Sequence, residues 1–471
     1  MATSTAPITS VNPATEEILA TFDPHTPDQV DEALAQAQEA FQAWRARSIG
    51  ERAVPLRRLA ALLRERAGRY ATLITLEMGK PIAEAKAEIE KCASTCEFYA
   101  ENAARFLRDE PVETSARRSL VAFEPLGIVL AVMPWNYPFW QVVRFAAPAL
   151  MAGNGAVLKH ASNVPQCALA IEELMRDAGF PEGLFRTLLL AGSQVEPVIA
   201  DERIRAVTLT GSSQTGARIA ELAGRALKKC VLELGGSDPY IVLRDADLEA
   251  AAAVATRARN QNAGQSCIAA KRFLVEDDVL EEFSERFAKL VAALRIGDPL
   301  DPATQIGPLA RGDLRETLER QVKESVRQGA RILTGGERWG ERGYYYRPTV
   351  IAGVTPAMPV FSEETFGPVA AIMRVRDADD AVAWANSSDY GLGANLWTRD
   401  DAKGEKIARR IESGQVFING MVASDPRLPF GGVKRSGFGR ELSSFGIREF
   451  VNIKTIWVGP AKAATPAPRS E

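Results

Sequence analysis

Between Asp28 and Arg66 apolar residues recur at helical spacing: Val30, Leu34, Ala37 and Phe41, then Leu59, Leu62 and Leu63. That recurrence predicts two amphipathic helices, and a further helix is expected over 82–106. From Gly127 the pattern changes. Short, continuously apolar runs (Gly127–Met133, Ala156–Leu158, Thr187–Leu190, Ala206–Leu209 and Val231–Leu234) alternate with helical stretches such as Val164–Ala178 and Thr215–Leu227. Runs with no polar face, separated by helices, indicate βαβ units whose parallel sheet is covered on both sides. Such sheets hold nucleotides at the carboxyl ends of their strands. After Gly236 a second alternation begins. Asp247–Asn260 and Val279–Leu294 are predicted helical, and Arg272–Val275, Val369–Val375 and Val416–Asn419 extended. The chain is therefore expected to be α/β, with a second α/β domain carrying its own sheet. Gly340–Pro348 and Asp425–Gly432 read as loops.

Length and composition narrow this picture. At 471 residues the chain exceeds one ordinary domain of roughly 100–200 residues. With 57 basic and 60 acidic residues its net charge is −3, which excludes a strongly basic nucleic-acid binder. No stretch approaches the roughly 18 uninterrupted apolar residues of a membrane-spanning helix. Met1–Asn12 has neither the basic nor the apolar region of a secretory signal. Five cysteines (Cys92, Cys96, Cys167, Cys230 and Cys267) are too sparse for a disulfide framework, so a reducing cytoplasm is expected. Cys92 and Cys96 stand four apart on an expected helix and read as packing. Only two histidines, His25 and His160, are present, which disfavours an imidazole-built zinc site or a Ser-His-Asp triad. Ala461–Glu471, rich in Ala and Pro, is expected to be disordered.

Five segments carry possible chemistry. Cys267 lies past a helix in Gly-Gln-Ser-Cys, where it is either a small buried hydrophobe or an accessible nucleophile. An exposed thiolate there would be open to oxidation. Glu233 ends an apolar run before Gly235 and Gly236, a position from which a carboxylate can point into a cleft as a general base, or be a salt-bridged structural group. Gly211 and Ser212 follow a strand and open a helix, where free N–H groups suit a pyrophosphate. That turn is not a phosphate-binding Walker loop, because Ala217 and Arg218 replace its Lys and Ser/Thr. Asn136, flanked by Trp135 and Tyr137, is either a turn residue or a donor to a developing oxyanion. Glu363 and Glu364 precede Phe366-Gly-Pro and read, alone, as a solvated loop.

Taken together and in order, from Asn12-Pro-Ala-Thr through Phe430-Gly-Gly-Val-Lys-Arg-Ser-Gly437 to Trp457, these segments resemble the aldehyde dehydrogenase superfamily over nearly the whole chain. Within it, Leu158–Val164, Lys229–Pro239, Ala423–Arg427 and Gly439–Gly446 are most similar to the bacterial succinate-semialdehyde dehydrogenase branch. The resemblance implies a dinucleotide-binding domain over 1–106 and 126–235, a catalytic domain over 236–435, and an oligomerisation element over 107–125 and 450–459. It implies a homodimer, or a tetramer of two dimers. Cys267 would attack the aldehyde, Asn136 and the Cys267 N–H would form the oxyanion hole, and Glu233 would activate water. Gly211 and Ser212 would meet the pyrophosphate with support from Trp135. Glu364 and Phe366 would hold the nicotinamide ribose and ring, and Lys159 would approach the adenosine ribose. Family members that prefer NAD often carry glutamate where this chain has Ser162. Losing that carboxylate removes its repulsion of a 2′-phosphate, so NADP is expected to be preferred and NAD accepted. Arg144 is expected to clamp a distal substrate carboxylate, or else to be a structural ion pair, and Ser424 to add a hydrogen bond, or else to serve only its loop. The expected activity is oxidation of succinic semialdehyde. Another aldehyde, or thioester or ester hydrolysis by the Cys/Glu pair, is the alternative.

Overall fold

Thr26 and Ser48 each open a helix with a reciprocal cap, their hydroxyls accepting from Gln29 and Glu51 N–H while those side chains reach back. The helices they start, Pro27–Arg45 and Ile49–Glu65, are the two that the spacing predicts. In this computed structural model, which describes residues 6–460, the first packs directly on a six-stranded sheet, while the second, with helices Ala67–Met78 and Ile82–Phe106, forms a layer packed on helices Trp140–Met151 and Pro165–Asp177. Trp44 is fully buried there and donates its indole N–H to Leu150 O at 2.9 Å.

The six-stranded sheet runs in the order Gly437–Phe438, Lys229–Glu233, Ile204–Thr210, Ile128–Met133, Gly155–His160, Phe185–Thr187. All its pairings are parallel except that of Gly437–Phe438 with Lys229–Glu233. The expected strand at Thr187–Leu190 is displaced to Phe185–Thr187. Pairing with Ala156–Leu158 fixes the register, Leu188 N–H makes the last bond to Leu158 O, and Leu188 and Leu190 are apolar because they reach the core.

A seven-stranded sheet follows, ordered Arg331–Thr334, Thr349–Ala352, Val369–Val375, Ala270–Glu276, Asp238–Val242, Gly393–Trp397, Gln415–Ile418. It is parallel apart from its edge strand Arg331–Thr334. Helices Leu248–Asn260 and Leu280–Ala292 pack on it through an aromatic cluster in which the Phe273 and Phe287 rings lie 4.8 Å apart. The third sheet is antiparallel: Val451–Pro460 pairs along Ala116–Pro125, which also pairs with Glu110–Pro111. Cys92, Cys96 and Cys167 are buried, as packing requires, and all five thiols are free. The expectation for Ala461–Glu471 falls outside the described residues. Among the described residues no helix is long and apolar enough to cross a membrane, and no group of three or more potential metal ligands occurs.

Candidate active site

In the six-stranded sheet the chain leaves Ile128–Met133 toward Gly155–His160 and later returns to Ile204–Thr210 on the other side. Ligands gather where strand order reverses in this way. Here the loops past these carboxyl ends supply Trp135, Asn136, Gly211 and Ser212 to one cleft, which Glu364 and Phe366 close from the other sheet. Ser212 Oγ accepts from Thr215 N–H at 3.2 Å and so starts helix Ser213–Arg225 at the edge of the cleft. The unpaired N–H groups of a first helical turn favour an anion. Trp135 and Phe366 meet edge to face with centroids 5.7 Å apart. A neighbouring cleft shares Arg311 and is walled by Lys159, Ser162 and Tyr344. Among the described residues its walls hold two cations, Lys159 and Arg311, and no carboxylate.

A third cleft opens on the opposite side of Cys267, lined by Lys91, Trp140, Arg144, Ser424 and Phe430 among others. Cys267 belongs to the walls of both this cleft and the one holding Trp135 and Glu364. The loop that presents it is held in an uncommon shape. Asn262 and Ala263 both adopt left-handed backbone angles (φ 56° and 50°), a sparsely populated region that costs of order 1–3 kcal/mol per residue. Side chains from elsewhere hold them there. Glu84 accepts from Asn262 N–H at 2.7 Å, and the Asn262 amide donates to Asn136 O at 2.8 Å. The buried Lys271 ammonium donates to Ser266 O and Cys267 O at 3.0 and 2.9 Å. Arg259, fully buried, ties Gly264 O to Gly367 O. None of Glu84, Arg259, Asn262 or Lys271 stands out from the sequence, because each acts on backbone brought close only by folding.

Burial and neighbouring charges set the electrostatics at three positions. Cys267 is half-buried, and burial pushes its thiol up to about 12 although Arg144 and Lys271 oppose the shift. Glu233 does not line the cleft. It is buried with neither carboxylate oxygen hydrogen-bonded, and Oε1 lies 2.7 Å from where a side chain on Gly431 would begin. Only glycine at 431 leaves room for it. Burial first, then the Glu441 charge, hold its carboxyl well above the usual range, with Arg144 and Arg440 pulling the other way. Arg144 lines the third cleft and is also one half of an ion pair: Nε stands 2.5 Å from Glu441 Oε2, both residues are buried, and its guanidinium covers the Phe430 ring at 4.6 Å.

The remaining candidate positions have these partners. Asn136 is buried and spends one amide N–H on Gln265 O at 3.1 Å, which leaves the other of its two donors. Glu364 accepts from Gly236 N–H at 3.0 Å, and burial raises its carboxyl while Lys271, 3.7 Å away, lowers it. Its neighbour Glu363 is the solvated one, held by Arg320 at 2.6 Å. Ser424 is buried and accepts from Lys91 Nζ at 2.6 Å. His160 turns away into Pro138 O at 2.9 Å.

Residues 1–456 match the Aldehyde dehydrogenase family. The chain belongs to that family. It is 53% identical over 451 residues to a Synechocystis protein named a probable succinate-semialdehyde dehydrogenase (NADP(+)), covering 96% of this chain and 99% of the relative. It is 50% identical over 455 residues to the Mycobacterium tuberculosis succinate-semialdehyde dehydrogenase (NADP(+)) 1, covering 96% and 100%. Among solved structures, the succinic semialdehyde dehydrogenase of Streptococcus pyogenes in complex with NADP+ superposes with a TM-score of 0.94 at 40% identity, over 96% of this chain and 100% of that one.

Proposed function

We propose that the chain oxidises succinic semialdehyde to succinate, preferring NADP and accepting NAD. The observation that carries this reading is the position of Cys267 in the shared wall of two clefts, one built for a dinucleotide and the other carrying cations for an acidic substrate. The named activities of relatives at 50% identity and above support it. The dinucleotide side fits its ligand by charge: a helix start for the pyrophosphate, then Lys159, Ser162 and Arg311 with no acid to repel a 2′-phosphate.

Cys267 adds through sulfur to the aldehyde carbon, passing its thiol proton to water in the cleft as the C–S bond forms. The free N–H of the Asn136 amide and the Cys267 backbone N–H stabilise the oxyanion of the thiohemiacetal, each such donor contributing on the order of 3 kcal/mol in comparable sites. The bound nicotinamide supplies the hydride acceptor that makes the adduct a thioester. With its side chain turned toward the cleft, Glu233 would take a proton from the water that attacks the thioester carbon, and as the C–S bond breaks that proton passes to the Cys267 sulfur, releasing the acid and the thiol. A base held above the ordinary carboxylate range suits that task at neutral pH.

Residues 1–106 with 126–235 would form the nucleotide-binding domain, 236–435 the catalytic domain, and 107–125 with 450–459 a pairing element. The edge strand Val451–Pro460 exposes Ile453, Ile456 and Trp457, as a strand that joins another subunit would. A homodimer, or a tetramer of dimers, is the assembly this supports, and light scattering measures it.

The deciding assay follows nicotinamide reduction by near-ultraviolet absorbance with succinic semialdehyde and matched NADP or NAD. Faster reduction of NADP is expected. Reduction only with glutarate semialdehyde or aliphatic aldehydes overturns the substrate, and thioester or ester turnover without nucleotide in place of any reduction overturns the reaction.

A further inference from the structure

Two cations line the substrate-side cleft, Lys91 and Arg144, and their surroundings differ. Arg144 already has a buried carboxylate partner in Glu441. Among the described residues Lys91 has none within ion-pair distance, although three carboxylates lie close by. Glu88, nearly one turn earlier on the same helix, is ion-paired with Lys80 and accepts from Phe139 and Trp140 N–H at 2.9 and 3.0 Å. Glu84 is committed to Asn262 N–H. Asp425, next to Ser424, is clamped by Arg427 at 2.5 Å. Lys91 instead rests over the Trp140 ring at 4.3 Å and donates to Ser424 Oγ at 2.6 Å, which leaves further N–H donors on its ammonium. Burial, and then the Arg144 charge, hold its pKa near 8, so it is still largely charged at neutral pH.

We propose that Lys91 is the principal residue that takes the distal carboxylate of the substrate, positioned for it by Ser424 and the face of Trp140. This rests on the reading that the substrate is an acidic aldehyde, and deepens it: the class admitted is aldehydes bearing a terminal carboxylate. A lone, partly dehydrated ammonium gains more from an incoming anion than a guanidinium that already faces one, because the second must share its charge. Ser424 contributes by holding the ammonium as well as by its own hydroxyl. The sequence conceals this role, since Lys91 sits on a long helix far from every catalytic motif.

The experiment compares kcat/KM for succinic semialdehyde and for butanal, its near-isostere without the charge, in wild type, Lys91→Met and Lys91→Arg. Succinate binding to the nucleotide-free enzyme, followed by tryptophan fluorescence, gives a readout independent of turnover. In Lys91→Met the preference for the acid over butanal is expected to fall about tenfold to a hundredfold, mainly through KM, the range for a charged hydrogen bond. Succinate binding should weaken alike, and Lys91→Arg should restore most of both. Preference and succinate affinity within about twofold of wild type in Lys91→Met, on the same scale of energies, overturn the assignment while leaving the substrate reading intact. Equal losses in the arginine and methionine variants overturn it as well, because a retained charge would then be irrelevant. A wild-type enzyme with no preference for the acid overturns the substrate reading itself.

Discussion

Arg144 Nε stands 2.5 Å from Glu441 Oε2 in a buried ion pair, and the same guanidinium lowers the proton affinity of Glu233. Glu441 acts on Glu233 in the opposite sense. The pair therefore sets the pH at which the proposed base becomes available. Glu233 must be deprotonated to accept a proton from water, so activity is lost as pH falls through its pKa. Removing the cation with Arg144→Leu should move that acid limb of kcat to higher pH. Glu441→Gln deletes a like charge and should move it to lower pH. Shifts in opposite directions are expected. A pH–rate profile of each variant under deacylation-limited conditions measures them, and shifts of the same sign would refute the coupling.

Glu233→Gln separates the two halves of the reaction. Cys267 and Asn136 are untouched by this change, so the thioester should still form. The variant should reduce about one equivalent of nucleotide per active site and then stall, with turnover slowed by the 100-fold to 10,000-fold typical of losing a general base. Rapid-mixing absorbance reads the burst, and intact-protein mass spectrometry reads the trapped acyl group. Steady turnover with no burst would remove Glu233 from hydrolysis.

Much of this architecture is legible in the amino-acid pattern. The helix over 82–106 and the strand over 369–375 fall at the expected residues because each presents a long apolar stripe or run. Asp238–Val242 and Gly393–Trp397 escaped notice, being short strands that are buried on both faces and directly preceded by glycines or polar residues that read as turns. The clefts were legible through the motif residues that line them. Charge pairing was not. Whether Arg144 faces Glu441 or solvent, and whether Lys91 finds an acid, depends on segments some 300 residues apart in sequence. Local pattern carries no information about such partners.

Lys80 and Glu88 form a fully buried ion pair that supports the site from behind. The Glu88 carboxylate accepts the Phe139 and Trp140 N–H groups at the start of helix Trp140–Met151, which has no side-chain cap of its own residues. Lys80 also lies 3.6 Å from the centre of the Tyr137 ring. Replacing Lys80 by Met keeps the volume and strands a buried carboxylate, which costs about 3–5 kcal/mol. Lys80→Met should unfold at correspondingly lower denaturant, and the double variant Lys80→Met/Glu88→Gln should recover part of the loss. Denaturation monitored by tryptophan fluorescence checks both, and a Lys80→Met variant within 1 kcal/mol of wild type, on the scale of an exposed pair, would show that the charge is not confined as the packing indicates.

Ser162 offers the sharpest test of nucleotide choice. It borders a cleft whose charged walls are Lys159 and Arg311, with no carboxylate. Ser162→Glu places an acid where a 2′-phosphate is expected, and two like charges about 4 Å apart repel by around 4 kcal/mol at an effective dielectric near 20. Screening by the two cations reduces that figure, so the expected loss in kcat/KM for NADP is about 100-fold. NAD carries hydroxyls there instead, and a glutamate can accept from both, so its kcat/KM should hold or rise. Steady-state kinetics with each nucleotide at saturating aldehyde gives the ratio directly. Equal losses with NADP and NAD would mean that Ser162 shapes the cleft without discriminating the phosphate.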